Sequence, residues 1–423
     1  MHARGKFGRF VLPAAYSFFT LFCRWILGEP IPARSAGEAG KSTSGVRDVR
    51  VLIASDPSRI QIRSDGRFTI SSSGHRKLMT DEDRVVLAAS GTRDGGLRVG
   101  GENWPSREVT AQPEGGGSLW ITTETADGWS PPLEYPGQFH IAVSDSERLN
   151  VINAVEIDTY VGCVVANESW PSFEPETFRI QAIASRSFVL YQMNRRPDAE
   201  FDLSATQGSQ VYKGLRRDAA GRTAMDAAES TRGLVVTWGA KGEERLFCAY
   251  YSAACGGESQ SAAALGAEGN VPPLAGGIKC DFCRISPAET YRWGPVRLTL
   301  DEIRTRLITR YPDWEDFGPF LNLSVAQRSP AGRPVTLRIE GVQGRTRDLL
   351  AERFRLAVGG SILRSTDCRI RVSGGEVIFD NGKGFGHGLG LCQWGAQGQV
   401  LKGRNAAEVL KYYYPGANVT RAY

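Results

Sequence analysis

A glycine-rich run near the C-terminal end constrains the fold of this chain more than any other feature. Six glycines fall within residues 384–398, around His387, the single histidine in the second half of the sequence. Glycine loses more conformational freedom on folding than other residues, so a dense cluster predicts backbone that passes close to a neighbour or a ligand. The run also contains Gln393 and Trp394, which supply hydrogen-bonding groups and a stacking surface. We therefore expect a sugar or peptide site at this loop.

An acidic residue stands just before a strongly apolar helix in the first half of the chain. Glu168 is followed by Trp170, and Pro175 occupies the first turn of a helix that we expect to extend to about Met193. This helix has so few polar positions that it must be buried. Arg186 lies inside it, and a buried arginine needs a partner. We expect Arg186 either to brace a carboxylate or to line the site.

These two segments together resemble the family of stage II sporulation protein D (SpoIID) and the amidase enhancer LytB. Members of the family show a Glu followed by a Pro, then a helix similar to EALKAQAVAARTYAL, and much later a loop similar to GxGHGxGMSQxGA. The segment from Tyr250–Ser252 to Gly256–Gly257 also resembles the family. The three motifs occur in the family's order, and the resemblance covers roughly residues 145–423.

Apolar patterning predicts an α+β protein in two parts. Residues 48–145 contain short alternating runs such as Val49–Ala54 and Leu119–Thr122, separated by Gly and Asp-Gly turns, which predicts a smaller β-rich accessory domain. Residues 146–423 mix strands and helices, as expected for a SpoIID-like catalytic domain. The predicted helices lie near residues 158–167, 175–193, 219–231, 300–311 and 406–413.

The N-terminal segment has the order of a targeting signal. Arg4, Lys6 and Arg9 precede an apolar stretch that ends near Cys23, and Arg24 interrupts it before it is long enough for a typical transmembrane helix. Residues 1–28 are therefore predicted to be a signal peptide or a retained membrane anchor, followed by a linker over residues 29–47. The mature protein is expected in the cell envelope or outside the cell.

The charge balance narrows the classes of partner. The net charge is +5 over 423 residues, and the sequence has no basic run with interleaved aromatic residues. Nucleic acid is therefore not implied as a partner. A small positive charge is consistent with solubility alone or with weak attraction to acidic surfaces.

Glu168 is the predicted catalytic residue. Aromatic and apolar neighbours desolvate a carboxyl group and favour its neutral form, and a neutral carboxylic acid can protonate a glycosidic oxygen. The resemblance implies that Glu168 is the family's catalytic acid. Most glycosidases need two carboxylates. A lytic transglycosylase needs one, because the muramyl C6 hydroxyl is the internal nucleophile and a single glutamate serves first as acid and then as base.

The resemblance thus implies a peptidoglycan lytic transglycosylase, a carbon–oxygen lyase that leaves a 1,6-anhydro-muramyl end during cell-wall remodelling or sporulation. Its partner would be the glycan strand of peptidoglycan, which it would cleave at the bond between N-acetylmuramic acid and N-acetylglucosamine. We expect four residues to shape the substrate cleft, and three aromatic residues to offer stacking faces or to pack in the core. The first set is Gln181, Arg186, His387 and Gln393, and the second is Tyr212, Tyr250 and Trp394.

The cysteines predict a structural zinc site or a disulfide. Cys280 and Cys283 form a C-x-x-C pair, and Cys255 follows the Tyr-Tyr-Ser text. In an exported protein this pattern indicates either ligands of a tetrahedral metal or a disulfide. Cys392 is the favoured fourth ligand, with Cys248 as an alternative and His387 as a weaker one.

A second function remains open from the sequence. The LytB side of the family stimulates a separate cell-wall amidase and need not cleave glycan itself. The protein could therefore be a peptidoglycan-binding enhancer of an N-acetylmuramoyl-L-alanine amidase. The presence of Glu168 favours the enzyme.

Overall fold

The computed structural model describes residues 48–90, 95–205, 209–267 and 271–423. The predicted targeting segment and the linker, residues 1–47, lie outside these described residues. Within the described ranges, no helix combines the length and the apolar character needed to cross a membrane. Helices and sheets alternate in the second half of the chain, and the first part is built of strands, which confirms the predicted mixed α+β class.

Strands dominate up to residue 155, as the alternation of apolar and polar residues predicts. Two seven-stranded sheets form, and their inward-facing side chains share one hydrophobic core. The strands are β1 Val49–Ser55, β2 Arg59–Ser64, β3 Phe68–Ser72, β4 His75–Met79, β5 Val85–Ala89, β6 Leu97–Val99, β7 Glu102–Trp104, β8 Glu108–Pro113, β9 Ser118–Thr125, β10 Gly128–Trp129, β11 Leu133–Pro136, β12 Gln138–Val143 and β13 Leu149–Val155.

Strand β13 joins this β-rich part to the helices. It pairs with β1 on one side and β12 on the other, and all seven of its residues are buried. Its sequence is apolar except for Asn150 and Asn153, and the buried Asn153 amide donates to the carbonyl oxygens of Pro136 and Gln138. The predicted boundary at residue 145 therefore falls before a strand that belongs to the N-terminal sheet. The chain enters the first helix directly after β13.

The helical layer packs on this sheet and on one buried helix. The helix predicted over residues 175–193 is observed as Pro175–Arg195, and the preceding one ends at Glu168. The α-helices are α1 Ile157–Glu168, α2 Pro175–Arg195, α3 Ala219–Ser230, α4 Ala288–Tyr291, α5 Leu300–Arg310, α6 Ala351–Val358, α7 Gln393–Val400 and α8 Ala406–Tyr413.

Short strands connect the helical layer to the glycine-rich run. Residues 247–250 lie between two of these short strands, belong to no strand, and are buried or half-buried. The strands of this part are β14 Leu203–Ser204, β15 Leu234–Trp238, β16 Arg245–Leu246, β17 Tyr251–Ser252, β26 Leu391–Cys392 and β27 Ala417–Arg421.

The sequence did not predict a separate unit within the catalytic part. Residues 292–383, here called the inserted domain, begin and end on two strands that pair with each other, β18 and β25, and they enclose a second hydrophobic core. Helices α5 and α6 belong to this unit. Its strands are β18 Arg292–Trp293, β19 Val296–Thr299, β20 Phe320–Arg328, β21 Pro334–Gly341, β22 Thr346–Leu350, β23 Arg369–Ser373, β24 Glu376–Asp380 and β25 Gly382–Lys383.

Arg333, between β20 and β21, fastens the inserted domain to the glycine-rich run. Its guanidinium donates to the carbonyl oxygen of Cys255 at 2.6 Å and to that of His387 at 3.3 Å. The side chain is 4% exposed and lies 3.6 Å from the Asp367 carboxylate, so its charge is paired. Because an arginine offers five donors in a fixed fork, one side chain can hold two backbone segments in register.

Candidate functional site

A cleft of about 560 Å³ brings together the two segments that the sequence singled out. One wall comes from the end of α1, another from β17, a third from the glycine-rich run and the last from α6 of the inserted domain. The lining includes Asn167, Glu168, Trp170, Lys213, Tyr250, Tyr251, Ser252, Glu352, Arg355, Phe385, Gly386, His387 and Gln393.

A larger concavity, of about 780 Å³, lies beside strands β3 and β4. The lining includes His75, Arg76 and Glu114, all exposed at the protein surface. Catalytic sites gather titratable groups whose environment shifts their pKa. The smaller cleft contains such groups, so it is the candidate functional site.

Glu168 ends α1 and faces this cleft. Its Oε1 accepts a hydrogen bond from the Val211 backbone N–H at 2.7 Å, and the Tyr251 hydroxyl also hydrogen-bonds its carboxyl group. Burial raises the pKa of Glu168, while these two hydrogen bonds lower it, and the net shift is upward. The prediction that apolar surroundings favour the protonated acid is confirmed in direction.

The segment that carries Val211 is fastened to the same helix. The Asn167 side-chain amide donates to the Cys163 carbonyl at 2.8 Å and to the Gly214 carbonyl at 3.3 Å. Gly214 has a φ of +74°, and a Cβ there would lie 1.9 Å from the Glu134 carbonyl oxygen. Glycine is therefore required, and the chain can turn back so that the Val211 N–H meets Glu168.

The glycine-rich run lies in close backbone contact with the strand opposite. A Cβ at Gly384 would lie 2.5 Å from the Ala254 carbonyl oxygen, and one at Gly390 would lie 2.1 Å from that of Tyr250, both at positive φ. These distances are shorter than any real Cβ contact, so the predicted close approach is confirmed. β26 then pairs in parallel with β17, which places Gln393 next to Glu168.

His387 is a neutral, hydrogen-bonded histidine on the cleft wall. Its Nδ1 accepts from the Leu389 backbone N–H at 3.0 Å, and the ring also hydrogen-bonds the Tyr251 backbone. An accepting Nδ1 carries no proton, so Nε2 is the protonated nitrogen. Burial lowers the pKa of His387 to about 4. The ring therefore connects the glycine-rich run to the Tyr251 strand.

This histidine predicts a pH-dependent stability. Unfolded histidine binds a proton below a pKa of 6.5, whereas folded His387 does so only below about 4. Between these values the unfolded chain holds more protons, so the free energy of unfolding should fall as the pH drops from 6.5 to 4. Urea unfolding across this range should show a shallower fall for His387→Gln than for the wild type. Equal falls would contradict the assignment.

Gln393 lines the cleft and Gln181 lies behind it. The Gln393 amide donates to the Glu168 carbonyl and to Gln181 Oε1, each at 3.2 Å. Gln181 in turn donates to the Ser185 hydroxyl at 3.1 Å and is 2% exposed. Gln181 is therefore placed to hold the Gln393 side chain. This differs from the direct substrate contact that the sequence predicts for Gln181.

Arg186 is enclosed in the core rather than exposed in the cleft. It contacts Asp158 at 2.6 Å, and its remaining donors meet the carbonyl oxygens of Ala228 and Leu234. Its side chain is 0% exposed. The predicted substrate-binding role is therefore not supported, and the alternative that Arg186 braces a carboxylate is what the structure shows. The physical reason is that burying the guanidinium requires all its donors to be satisfied inside the protein.

The three aromatic candidates divide between the core and the cleft. Tyr212 is a core residue whose hydroxyl donates to Asn153 Oδ1 at 2.6 Å. Trp394 is 8% exposed and packs against Trp170, with ring centroids 5.3 Å apart. Tyr250 and Trp170 line the cleft together with other aromatic residues such as Phe385, so their rings can offer stacking surfaces. Trp170 was not predicted as a stacking residue, because the sequence does not show which tryptophan ring faces the cleft.

The inserted domain contributes a charged pair that sequence reasoning missed. Glu352 accepts from Arg355 through both carboxylate oxygens, at 2.9 and 2.6 Å, and each side chain is 8% exposed. Burial raises the pKa of Glu352, but the adjacent Arg355 outweighs it, and the net shift is downward. Glu352 is therefore an ionised carboxylate held by its partner. Its spacing of three residues on α6 resembles any helical ion pair, so no sequence signal marked it.

Four cysteines form a buried cluster beneath the glycine-rich run. The Sγ atoms of Cys255, Cys280, Cys283 and Cys392 all lie within 4.8 Å of one another. Those of Cys255 and Cys283 are 3.8 Å apart. Thiolates around a tetrahedral zinc ion at about 2.3 Å are separated by about 3.8 Å, whereas disulfide sulfurs are about 2.05 Å apart. The cluster could hold a metal ion.

The surroundings of the cluster suit thiolates. The Cys255 backbone N–H donates to Cys392 Sγ at 3.2 Å, and the Tyr413 hydroxyl lies 3.1 Å from Cys280 Sγ. A Cβ at Gly395 would lie 2.8 Å from Cys280 Sγ, so glycine makes room for the sulfur. The Cys255 thiol donates to Cys280, which lowers the pKa of Cys280 and raises that of Cys255. A cation would take the place of these shared protons.

The remaining alternatives for the cysteines are decided by geometry. All seven cysteines in the described ranges are free, so no disulfide forms among them. Cys248 lies outside the cluster and contacts Gln192 at 3.6 Å. His387 is occupied by the Leu389 backbone. The favoured fourth member, Cys392, is the one that the fold brings into the cluster.

Comparison with known proteins agrees with the motifs. Residues 145–238 match the stage II sporulation protein family, SpoIID, and residues 283–390 match a domain of unknown function, DUF8618. The first match contains Glu168, α1 and α2. The second contains the whole inserted domain and the beginning of the glycine-rich run.

Individual relatives extend this likeness over most of the chain. An uncharacterised protein of Brachyspira hyodysenteriae is 28% identical over 301 residues, which cover 71% of this chain and 76% of the relative. Stage II sporulation protein D of Bacillus subtilis is 25% identical over 284 residues, covering 64% and 76%. The amidase enhancer of the same species is 33% identical over 67 residues, covering 16% and 9%. The resemblance to the SpoIID and amidase-enhancer family is confirmed.

Proposed function

Since residues 145–238 match the SpoIID family, we propose that this protein is a peptidoglycan lytic transglycosylase of the cell envelope. One relative is named a stage II sporulation protein and another an amidase enhancer, and these names support a role in the cell wall. The observation that carries the enzymatic proposal is Glu168 itself. Its pKa is raised by burial, and it faces a cleft with stacking rings and amide donors.

Glu168 would act twice in one turnover. As a neutral acid it protonates the glycosidic oxygen between N-acetylmuramic acid and N-acetylglucosamine while that bond breaks. The resulting carboxylate then removes the proton of the muramyl C6 hydroxyl, which attacks C1 and closes the anhydro ring. The first transfer leaves Glu168 ionised and the second restores its proton, so the residue returns to its starting state without any other base.

The other cleft residues would orient the sugar. Gln393 holds the Glu168 backbone and the neighbouring Gln181, so the end of α1 keeps its position. His387, through its bond to the Tyr251 strand, keeps the glycine-rich run against the acid. The rings of Trp170 and Tyr250 supply apolar faces for the carbohydrate.

The arrangement of carboxylates favours an internal nucleophile over water. Besides Glu168, the cleft lining includes one other carboxylate among the described residues, Glu352. Both oxygens of Glu352 accept hydrogen bonds from Arg355. A carboxylate with a depressed pKa that is held in this way is a weak base for water. Hydrolysis, which needs a second free carboxylate, is therefore the less favoured reaction.

We expect the product to end in 1,6-anhydro-N-acetylmuramic acid. The C6 hydroxyl belongs to the same sugar as the reacting C1, so its effective concentration exceeds that of water by a large factor. Mass spectrometry of glycan fragments formed in ¹⁸O-water should show ends that lack one water and carry no ¹⁸O. Reducing ends that contain ¹⁸O would show hydrolysis, and would require Glu352 or another group to activate water.

The cysteine cluster is proposed to bind one structural zinc ion. Four thiolates are a preferred ligand set for zinc, and the sulfurs here lie at compatible separations. When bound, the ion would supply a closed structural centre, so removing it should destabilise the fold. Cys392 directly precedes Gln393, and Cys255 lies close after β17, so the centre would fix both cleft walls.

A second function is supported by the short match to an amidase enhancer. In that case the cleft would bind peptidoglycan without cleaving it, and a separate amidase would be the partner. Purified protein should be incubated with glycan strands alone and with an added cell-wall amidase. Cleavage by the protein alone supports the enzyme, whereas stimulation of the amidase without cleavage supports the enhancer.

A further inference from the structure

We propose that Gln210 and Tyr251 are positioning residues for Glu168. In this arrangement the Gln210 amide fixes the direction of the Tyr251 hydroxyl, so that the hydroxyl proton points at the Glu168 carboxyl group. The inference rests on the proposed function, in which Glu168 transfers protons, and adds two residues to it.

A chain of hydrogen bonds runs from the core to the acid. The Tyr160 hydroxyl donates to Gln210 Oε1 at 3.0 Å, and Gln210 Nε2 donates to the Tyr251 hydroxyl oxygen at 3.1 Å. Tyr251 then meets the Glu168 carboxyl group. Tyr160 and Gln210 are fully buried, whereas Tyr251 reaches the cleft wall. The chain therefore connects a fixed interior group to the residue that does the chemistry.

The Ser185 carbonyl oxygen sets the direction of this chain. It lies 3.4 Å from Gln210 Nε2. A carbonyl oxygen only accepts hydrogen bonds, so turning the amide over would place two oxygens against each other. The amide nitrogen consequently faces both Ser185 and Tyr251. Because that nitrogen only donates, the Tyr251 oxygen accepts from it. The Ser185 hydroxyl accepts from Gln181 and also hydrogen-bonds Tyr251 in the sense that lowers the pKa of Tyr251, which is that of a donor, so the Tyr251 proton is left for Glu168.

The direction matters for both proton transfers. The Val211 N–H donates to Glu168 Oε1, so the transferable proton of the neutral acid sits on Oε2. After this proton leaves, the carboxylate has two donors facing it, from Val211 and from Tyr251. Hydrogen bonds to a charged group are stronger than those to a neutral one. The pair therefore favours release of the proton in a site where burial opposes it.

Other titratable or charged groups also surround Glu168, but within the described part of the chain none of them hydrogen-bonds its carboxyl group. Tyr160 lies behind it, and the rest share the cleft. The groups in the cleft are Lys213, Tyr250, Glu352, Arg355 and His387. The Tyr251 hydroxyl is thus the side-chain donor whose removal should change the behaviour of Glu168 most directly.

Tyr251→Phe tests the first step because it removes the hydroxyl and keeps the ring. The alkaline limb of kcat/KM against pH reports loss of the Glu168 proton. Without the hydroxyl donor, the midpoint of this limb should rise by about one to two pH units. This shift corresponds to the free energy of one hydrogen bond to a charged group. The matched control is Tyr412→Phe, since Tyr412 lies outside the cleft lining and its hydroxyl donates to the Lys279 carbonyl oxygen rather than to Glu168. Its limb should stay in place.

Gln210→Met tests whether the glutamine acts through the tyrosine. Methionine has a similar length but no amide, so the Tyr251 hydroxyl loses its orienting donor. This variant should move the limb in the same direction as Tyr251→Phe. In the Tyr251→Phe background it should add no further movement, because the group it orients is gone. Equal and additive shifts would show that Gln210 acts independently, and would overturn its positioning role.

A second readout separates this inference from the proposed function. Carbon NMR of ¹³C-labelled glutamate, with the Glu168 signal assigned by its loss in Glu168→Gln, follows the titration of Glu168 without any turnover. The Tyr251→Phe midpoint should rise even if the wild type proves to cleave nothing. A wild type that cleaves glycan, together with an unchanged limb and midpoint in Tyr251→Phe, would overturn the inference and leave the transglycosylase intact.

Discussion

Glu168→Gln should lower the rate of glycan cleavage by at least about a hundredfold, the usual weight of general acid–base catalysis. Glutamine keeps the shape of the side chain and can still accept from the Val211 N–H, but it has no transferable proton. Binding of glycan strands should therefore persist. The measurements are product formation by mass spectrometry and strand binding by sedimentation with purified peptidoglycan.

Glu174→Gln is the matched control for this substitution. Glu174 lies six residues further along at the N-cap of α2, is exposed, and its side chain makes no capping hydrogen bond. It should cleave like the wild type. Cleavage at the wild-type rate by Glu168→Gln would remove Glu168 from the mechanism. Loss of both binding and cleavage would instead indicate a damaged fold, which the circular dichroism spectrum would show.

Cys392→Ser should remove most of the bound metal and lower the melting temperature by about 10 °C. Metal affinity and folding share the same free energy when the ligands lie in the core, and a loss of several kcal/mol is worth this much in a chain of this size. Purified wild type should carry about one zinc ion per chain, because a closed site of four ligands takes one ion. Elemental analysis and thermal unfolding measure the two effects.

Cys248→Ser provides the control for the metal. Cys248 is also buried but lies outside the cluster, so this variant should keep its zinc. A wild type without metal, in which Cys280 and Cys283 are joined by a disulfide, would reject the zinc proposal. Metal loss in Cys248→Ser with retention in Cys392→Ser would show that the glycine-rich run is not tied to the centre.

The glycine-rich run and the apolar helix could be predicted from sequence because their constraints are local. Gly384 and Gly390 need positive φ and a missing Cβ, and both needs are visible as glycine. Pro175 at the first turn marks the start of α2 in the same way. Glu168 was found through its motif. The desolvation that raises its pKa could be predicted from the apolar residues around it.

Arg186 shows where sequence reasoning stops. A buried arginine was predicted, together with two possible roles, but the sequence did not show which carboxylate it would meet. Asp158 lies 28 residues earlier and reaches Arg186 only because α1 packs beside α2. Gln181 was predicted to shape the substrate cleft. It lies behind Gln393, because the rotation of a helix about its axis is set by packing.

The sequence by itself determined the class of fold, the candidate acid Glu168, the glycine-rich run and the cysteines that could bind metal, since each of these depends on the chemistry of neighbouring residues. Tertiary structure alone decided the rest of the site. It placed Cys392 rather than Cys248 in the cluster, brought Glu352 and Arg355 into the cleft from the inserted domain, and set Tyr251 between Gln210 and Glu168. These contacts join residues far apart in the chain, and pairings of that kind arise from the packing of whole elements rather than from any local pattern.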